Sequence, residues 1–416
     1  MTFNRRIFIG TTAAALAAPM VQGQGRPRVV IVGGGAGGAT AAHHLIRDAK
    51  GGLDVTLIEP NQTYYSAFFS NHCIGGLVEF EALGHSYATL AAMGVTLVQD
   101  LASGIDRDAQ VVSLAGGGQV AFDKLILSPG IDYIDGAVEG WDLSTAEAMP
   151  HAYKGGTQTD LLRQQLMAMP EGGTFAIVAP PNPFRCPPGP YERASLVGHY
   201  LKQHNPTAKI IIADPKPLFS KMDLFQLGWA KHYPGMIEWI GEDFGGGNVS
   251  VDPEAMVLTL DGEEINVDVC NVIPAMKAGA IAEAAALTEE GWVPVHPTTM
   301  QSHADEKIHV LGDACHQGDM PKSAFAANSQ ARVCAAAVRA ELLGSAPVAP
   351  EFFNTCFSLI EEGDGIKVGA RYEASGEKIA MQEGFLSAVG ESAEERAATA
   401  AEAEAWYKTI TADMFG

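Results

Sequence analysis

The feature that most constrains this chain is an apolar strand running straight into a cluster of glycines. Arg28-Val29-Val30-Ile31-Val32 is a β-branched run of the kind buried in a parallel sheet, and Gly33-Gly34-Gly35-Ala36-Gly37-Gly38 follows at once. Gly33, Gly35 and Gly38 fill the positions of a G-x-G-x-x-G turn. Ala39 to Ala49 has helical composition, Asp54 to Ile58 is a second strand, and Glu59 stands at its end. Strand, glycines, helix, strand and acid in that order predict a dinucleotide-binding unit. The glycines permit a sharp turn and close backbone approach, the helix amides face a pyrophosphate, and Glu59 accepts ribose hydroxyls.

The 416 residues leave room for two or three such units, at roughly 150 residues per domain. Hydrophobic residues make up 47% of the chain, which excludes wholesale disorder. Forty-nine acidic side chains face 27 basic ones, for a net charge of −22, and this balance repels nucleic-acid backbones and anionic lipid. The N-terminus reads Asn4-Arg5-Arg6-Ile7-Phe8-Ile9-Gly10, then an apolar run from Thr11 to Val21, and resembles a twin-arginine export signal over residues 1–25. That run is too short to span a bilayer, and no later stretch is long and apolar enough. The expectation is a periplasmic protein, exported folded, with no membrane anchor and in a compartment that permits disulfides.

Two further segments choose FAD over NAD. Phe122 to Gly130 is an apolar strand ending at a glycine turn, like the strand returning to the nucleotide domain of two-domain flavoproteins. Lys307-Ile308-His309-Val310-Leu311-Gly312-Asp313 is another, and its Asp313 would meet the ribityl chain of a flavin; alternatively that carboxylate caps the next helix. Lys322 to Arg332 is helical, with its N-terminal dipole directed at negative charge on the flavin's pyrimidine edge, so Lys322 joins the candidate cofactor residues.

A second Rossmann-like unit lies between these halves. Thr174 to Ala179 reads as a strand, Tyr191 to Gln203 as a helix, and Lys209 to Ala213 as a strand ending at Asp214. Its first turn is rich in proline rather than glycine, from Pro180 to Pro190. Those rings remove amide donors and bar a pyrophosphate, so the NAD site is degenerate.

Cysteine supplies the remaining chemistry. No C-x-x-C-H occurs, so the chain has no motif for covalent c-type haem, and no paired C-x-x-C points to a metal site. Cys270 and Cys334 read as core residues. Cys186 lies in the proline loop, where such a domain faces the flavin, and Cys356 lies in the aromatic segment Glu351 to Ile360. Two readings are open at this point: a structural disulfide, or a redox-active one whose released thiolate carries electrons toward the flavin.

The segments Pro183-Phe-Arg-Cys-Pro-Pro-Gly-Pro-Tyr-Glu-Arg193, Phe353-Asn-Thr-Cys-Phe-Ser-Leu359 and Tyr64-Tyr-Ser-Ala-Phe-Phe-Ser-Asn71 with Ile74-Gly-Gly76 resemble the flavoprotein subunit of flavocytochrome c sulfide dehydrogenase. The resemblance runs along essentially the whole mature chain. It implies oxidation of hydrogen sulfide to sulfur or polysulfide through FAD and a redox disulfide, with electrons passed to a separate c-type cytochrome subunit that alone carries haem. It assigns the disulfide to Cys186 and Cys356 and an acid–base role to Glu192, which as a scaffold residue would be an ordinary first-turn helix glutamate. Ala67 replaces the cysteine that attaches flavin in the family, which predicts non-covalent FAD. Rival readings are a sulfide:quinone oxidoreductase-like enzyme and a flavin-binding redox or assembly protein with a structural disulfide.

The fold class expected is α/β: two Rossmann-like domains of glutathione-reductase type plus a C-terminal α+β region. The FAD domain would be discontinuous, residues 26–140 and 280–347, enclosing the second domain at 141–279. Residues 348–416 would form a flavin-facing or interface region.

Overall fold

The computed structural model describes residues 25–416; the export signal expected at the N-terminus lies outside the described residues apart from its last position.

Each sheet is built from strands whose burial matches their sequence. In Arg28–Val32 every residue after the first is buried, and all of Lys124–Leu127 is buried, as expected for strands covered on both faces. They are neighbours in a six-stranded sheet whose order is Gln301–Ser302, Asp305–Val310, Lys124–Leu127, Arg28–Val32, Asp54–Ile58, Thr96–Val98. All its pairings are parallel except that of Gln301–Ser302. The chain therefore leaves this sheet after Leu127 and returns near residue 301. The glycine-turn helix Ala36–Ala49 packs on it, and the long helix Ala324–Leu343 packs against that helix.

Between departure and return lies a second parallel sheet, ordered Ile237–Ile240, Lys209–Ala213, Thr174–Val178, Val269–Val272. The helix that follows the proline loop, Gly189–His204, is buried along most of its length, with Pro190 near its start where a missing amide costs nothing.

The C-terminal region is an antiparallel meander of Glu351–Glu361, Asp364–Ser375 and Lys378–Leu386, followed by the helix Ala393–Phe415. A capping box of Ser392 and Glu395 starts that helix. Its far end is tied to the first domain through Asp413, which accepts from His44 at 3.0 Å and Asn328 at 2.7 Å. The strand Glu351–Glu361 packs against both the Gly189–His204 and the Ala324–Leu343 helices, so one strand touches elements of both nucleotide-fold domains.

Candidate functional site

A cleft of about 510 Å³ runs from the glycine turn to the proline loop. At its nucleotide end the backbone is packed too closely for side chains. A Cβ on Gly38 would stand 1.8 Å from the Gly33 carbonyl oxygen, and one on Gly33, at φ +94°, 2.3 Å from that of Ser128. The helix Ala36–Ala49 has no side-chain cap and no acid in its first turn, so its leading amides are left for an anion. Glu59 lines the same end; its carboxylate accepts from the Gly34 amide at 2.9 Å and from Asn61.

Asp313 lines the middle of the cleft, and its buried Oδ1 has no hydrogen-bond partner in the protein. Its Oδ2 lies 3.7 Å from Arg185. An orphaned buried carboxylate oxygen costs on the order of 1–3 kcal/mol or more unless a donor reaches it. A polyol such as the ribityl chain supplies such donors. Glycine cradle, free helix amides, Glu59 and Asp313 together fit FAD.

Lys322 is oriented differently from the role read in the sequence. Its ammonium donates to the carbonyls of Asp313 and Cys315, each at 2.8 Å, and sits 3.6 Å from the centre of the Trp292 ring. Burial pushes its pKa down to about 8. The cleft wall here is Ser323, Ala324 and Ala327 instead. The helix begins at Ala324, where Ser323 caps the Ala326 amide. Lys322 still reaches the site through its backbone, because its carbonyl accepts the Cys186 amide at 2.7 Å.

Cys186 lines the far end of the cleft, in left-handed backbone at φ +55°. The Tyr153 hydroxyl donates to its carbonyl at 3.0 Å, and Gly189 N–H does so at 2.8 Å. Cys356 enters from the C-terminal strand, 9% exposed, with the Asn354 amide 3.4 Å from its Sγ; Asn354 is oriented in turn by the Ser323 hydroxyl at 2.5 Å. Both sulfurs are free thiols in this structure. They stand close enough that a charge on Cys356 raises the Cys186 pKa, after burial as the larger cause. Burial also raises that of Cys356, opposed by the Asn354 amide.

Glu192 completes the group from the first turn of Gly189–His204, 8% exposed. It accepts from Asn71 at 2.8 Å and from the Leu359 amide, further along the strand that carries Cys356, at 2.9 Å. Burial holds its carboxyl above the usual glutamate range. Asn71 is fixed by the buried Arg193, whose Nε donates to Asn71 Oδ1 at 3.0 Å. Residues separated by more than a hundred positions thus meet because the proline loop, the Asn71 helix and the Cys356 strand converge.

Sequence reasoning missed Lys221, Asn354, Arg193 and Tyr153. Lys221 adopts φ +64°, is buried, and donates to the Cys356 carbonyl at 3.0 Å. Its loop follows a parallel strand of the second sheet, the end where sites gather in α/β folds, and that was the available signal.

The other cysteines lie apart. Cys270 and Cys334 are core residues, and Cys315 donates to the Gly312 carbonyl. Ala67 lines the cleft, whereas Cys73 packs with Phe69 and Leu83 outside it.

In the second domain Asp214 occupies the place that Glu59 has in the first. It is 0% exposed and accepts from Tyr191 at 2.7 Å, Trp239 at 2.9 Å and Lys216 at 2.6 Å. Its acceptor sites are taken by the protein itself.

Three family matches divide the chain. Residues 27–178 match pyridine nucleotide-disulphide oxidoreductases, 159–274 the central region of the sulfide dehydrogenase (flavocytochrome c) flavoprotein chain, and 348–415 the flavocytochrome c sulphide dehydrogenase flavin-binding region. The chain is 21% identical over 314 residues to a mitochondrial sulfide:quinone oxidoreductase of Dictyostelium discoideum, covering 74% of this chain and 69% of that one. It is 28% identical over 183 residues to a sulfide-quinone reductase of Aquifex aeolicus, covering 44% and 41%. Among solved structures, the Aquifex aeolicus sulfide:quinone oxidoreductase superposes with a TM-score of 0.69 at 19% identity, over 94% of this chain and 92% of that one. An NAD-dependent persulfide reductase from A. fulgidus gives 0.62 at 17% identity, over 91% and 77%.

Proposed function

We propose that this chain is a member of the flavoprotein family of flavocytochrome c sulfide dehydrogenase and its sulfide:quinone oxidoreductase relatives, and that it oxidises hydrogen sulfide to sulfur or polysulfide and passes the electrons to a separate c-type cytochrome subunit. The observation that carries this reading is Cys186 at the end of a cleft that fits FAD, with Cys356 and Glu192 near enough that a charge on either raises its pKa.

Bound FAD, held non-covalently at Gly33, Gly35, Gly38, Glu59 and Asp313, would supply a two-electron acceptor. The protein's own residues prepare the sulfur chemistry. Tyr153 and the Lys322 carbonyl hold Cys186 at the cleft, and Asn354 holds the Cys356 sulfur. Arg185, beside Cys186 in the cleft lining, favours an approaching anion such as hydrosulfide. In the oxidised protein hydrosulfide would attack a Cys186–Cys356 bond, and Glu192 would take the proton that the new sulfur–sulfur species gives up.

Cytochrome rather than quinone as acceptor is supported by the two flavocytochrome matches and by a C-terminal helix rich in glutamate, which anionic lipid would repel. Among the described residues no helix is long and apolar enough to cross a membrane. Periplasmic location rests on the Arg5-Arg6 signal.

Stopped-flow mixing with sulfide tests the proposal. Rapid loss of flavin absorbance, restored by cytochrome c and not by a quinone analogue, is the expected result. Restoration by the quinone alone would assign the protein to the quinone-reducing relatives, and no bleaching at all would leave a flavin redox or assembly protein.

A further inference from the structure

We infer that Lys221 is the positive charge of the sulfur centre, holding the anion that forms on Cys356 when the bond between the two cysteines is opened. The inference rests on the function proposed above.

Lys221 is 7% exposed, and its ammonium donates to the Cys356 carbonyl at 3.0 Å and the Ser358 hydroxyl at 2.8 Å. Both acceptors are neutral and belong to the strand that carries Cys356. A buried ammonium group is costly without an anion to balance it. The groups that face it are Cys356 from its own strand, Glu192 from the Gly189–His204 helix, Cys186 from the proline loop, and Arg396 from the C-terminal helix. Arg396 opposes the charge. Among these groups Cys356 favours the ammonium most, ahead of Glu192, which also accepts from Asn71 and the Leu359 amide, so a thiolate on Cys356 is its strongest balancing anion.

Opening the disulfide supplies it. Hydrosulfide attack on the Cys186 sulfur forms one sulfur–sulfur bond and breaks the Cys186–Cys356 bond. The electron pair of the broken bond leaves with Cys356, and the proton stays on the new terminal sulfur until Glu192 accepts it. One negative charge has then moved from the incoming anion to Cys356, with no external oxidant consumed. The Asn354 amide donates to that sulfur, and the Lys221 ammonium, anchored on the carbonyl of the same residue, lowers the Cys356 pKa by its charge.

Alkylation of the reduced, flavin-loaded protein by iodoacetamide between pH 6 and 10 tests this, with Cys186 and Cys356 peptides quantified separately by mass spectrometry. In Lys221→Gln, Cys356 alkylation at pH 8 should slow about tenfold and its midpoint should rise by about one pH unit, because the thiolate is the reactive form. Lys221→Arg should stay within about twofold of the wild type, since it keeps the cation. Flavin absorbance and circular dichroism report folding. Should Lys221→Gln fail to fold, Ser358→Ala removes one anchor of the ammonium and should slow Cys356 about threefold. A wild-type Cys356 profile in Lys221→Gln, or in Ser358→Ala where that variant is the one read, overturns the assignment, as does failure of Lys221→Arg to preserve it. Because no sulfide enters the measurement, failure of the proposed substrate would show in the stopped-flow trace and not here.

Discussion

The two nucleotide-fold domains share one topology and have opposite turns. In the first, glycines bring strand and helix so close that a Cβ on Gly38 would meet a carbonyl at 1.8 Å, and Glu59 remains at the cleft. In the second, prolines fill the turn, and the matching acid, Asp214, is buried and fully engaged by Tyr191, Trp239 and Lys216. One turn is kept open for a ligand's phosphates. The other is an arm that carries Cys186 to the far end of the same cleft. A parallel sheet fixes where its turns point, and the turn residues decide what happens there.

The sharpest way to break this comparison is to remove the arm's sulfur. Cys186→Ser or Cys356→Ser should lower sulfide-dependent flavin reduction by roughly a thousandfold or more while leaving flavin bound, since neither hydroxyl can form or exchange a disulfide. Stopped-flow absorbance reads both quantities. Gly38→Ala attacks the open turn instead and should weaken flavin retention by at least about a hundredfold, because the strand and helix must part to admit the methyl group. Ultrafiltration with flavin fluorescence would measure it, and full retention would mean the cleft is misassigned.

Glu192→Gln probes the join between the two domains and should cost on the order of a hundredfold in kcat/KM at neutral pH. Only the ionised carboxylate accepts a proton, and burial raises the Glu192 pKa. The wild-type rate should therefore fall on acidification through a limb that lies above the ordinary glutamate range, and the variant should lack that limb. Asp214→Ala has the smallest expected reach. Stripping the buried Lys216 of its partner should cost about 3 kcal/mol of stability by denaturant titration and leave flavin binding unchanged, with NADH bound by neither form. Saturable NADH binding by either form would contradict the closed second site.

Much of this architecture was legible because it is local. The β-branched run Arg28–Val32, the glycines after it and Glu59 follow one another closely along the chain, and short-range pattern determines their structure. The same holds for the strands around Asp313 and for the proline turn, whose missing amides argue against a pyrophosphate without any tertiary knowledge. The helix beyond Lys322 starts later than its composition suggests: Ser323 caps at Ala324, which sends the lysine side chain to the Asp313 and Cys315 carbonyls and leaves alanines on the cleft. Lys221 and Asn354 were invisible for a different reason. Each acts on Cys356 only after the second domain and the C-terminal meander have packed, and no spacing along the chain encodes that approach.

The left-handed backbone at Cys186 has a consequence for anyone who selects variants of this protein. At φ +55° a cysteine carries a conformational penalty of about 1 kcal/mol that glycine escapes, so backbone geometry alone would prefer Cys186→Gly. On the function proposed, a screen for heat resistance would drift toward an inert protein, and one for turnover would hold on to the strain. Durability and reactivity are set against each other at a single α-carbon.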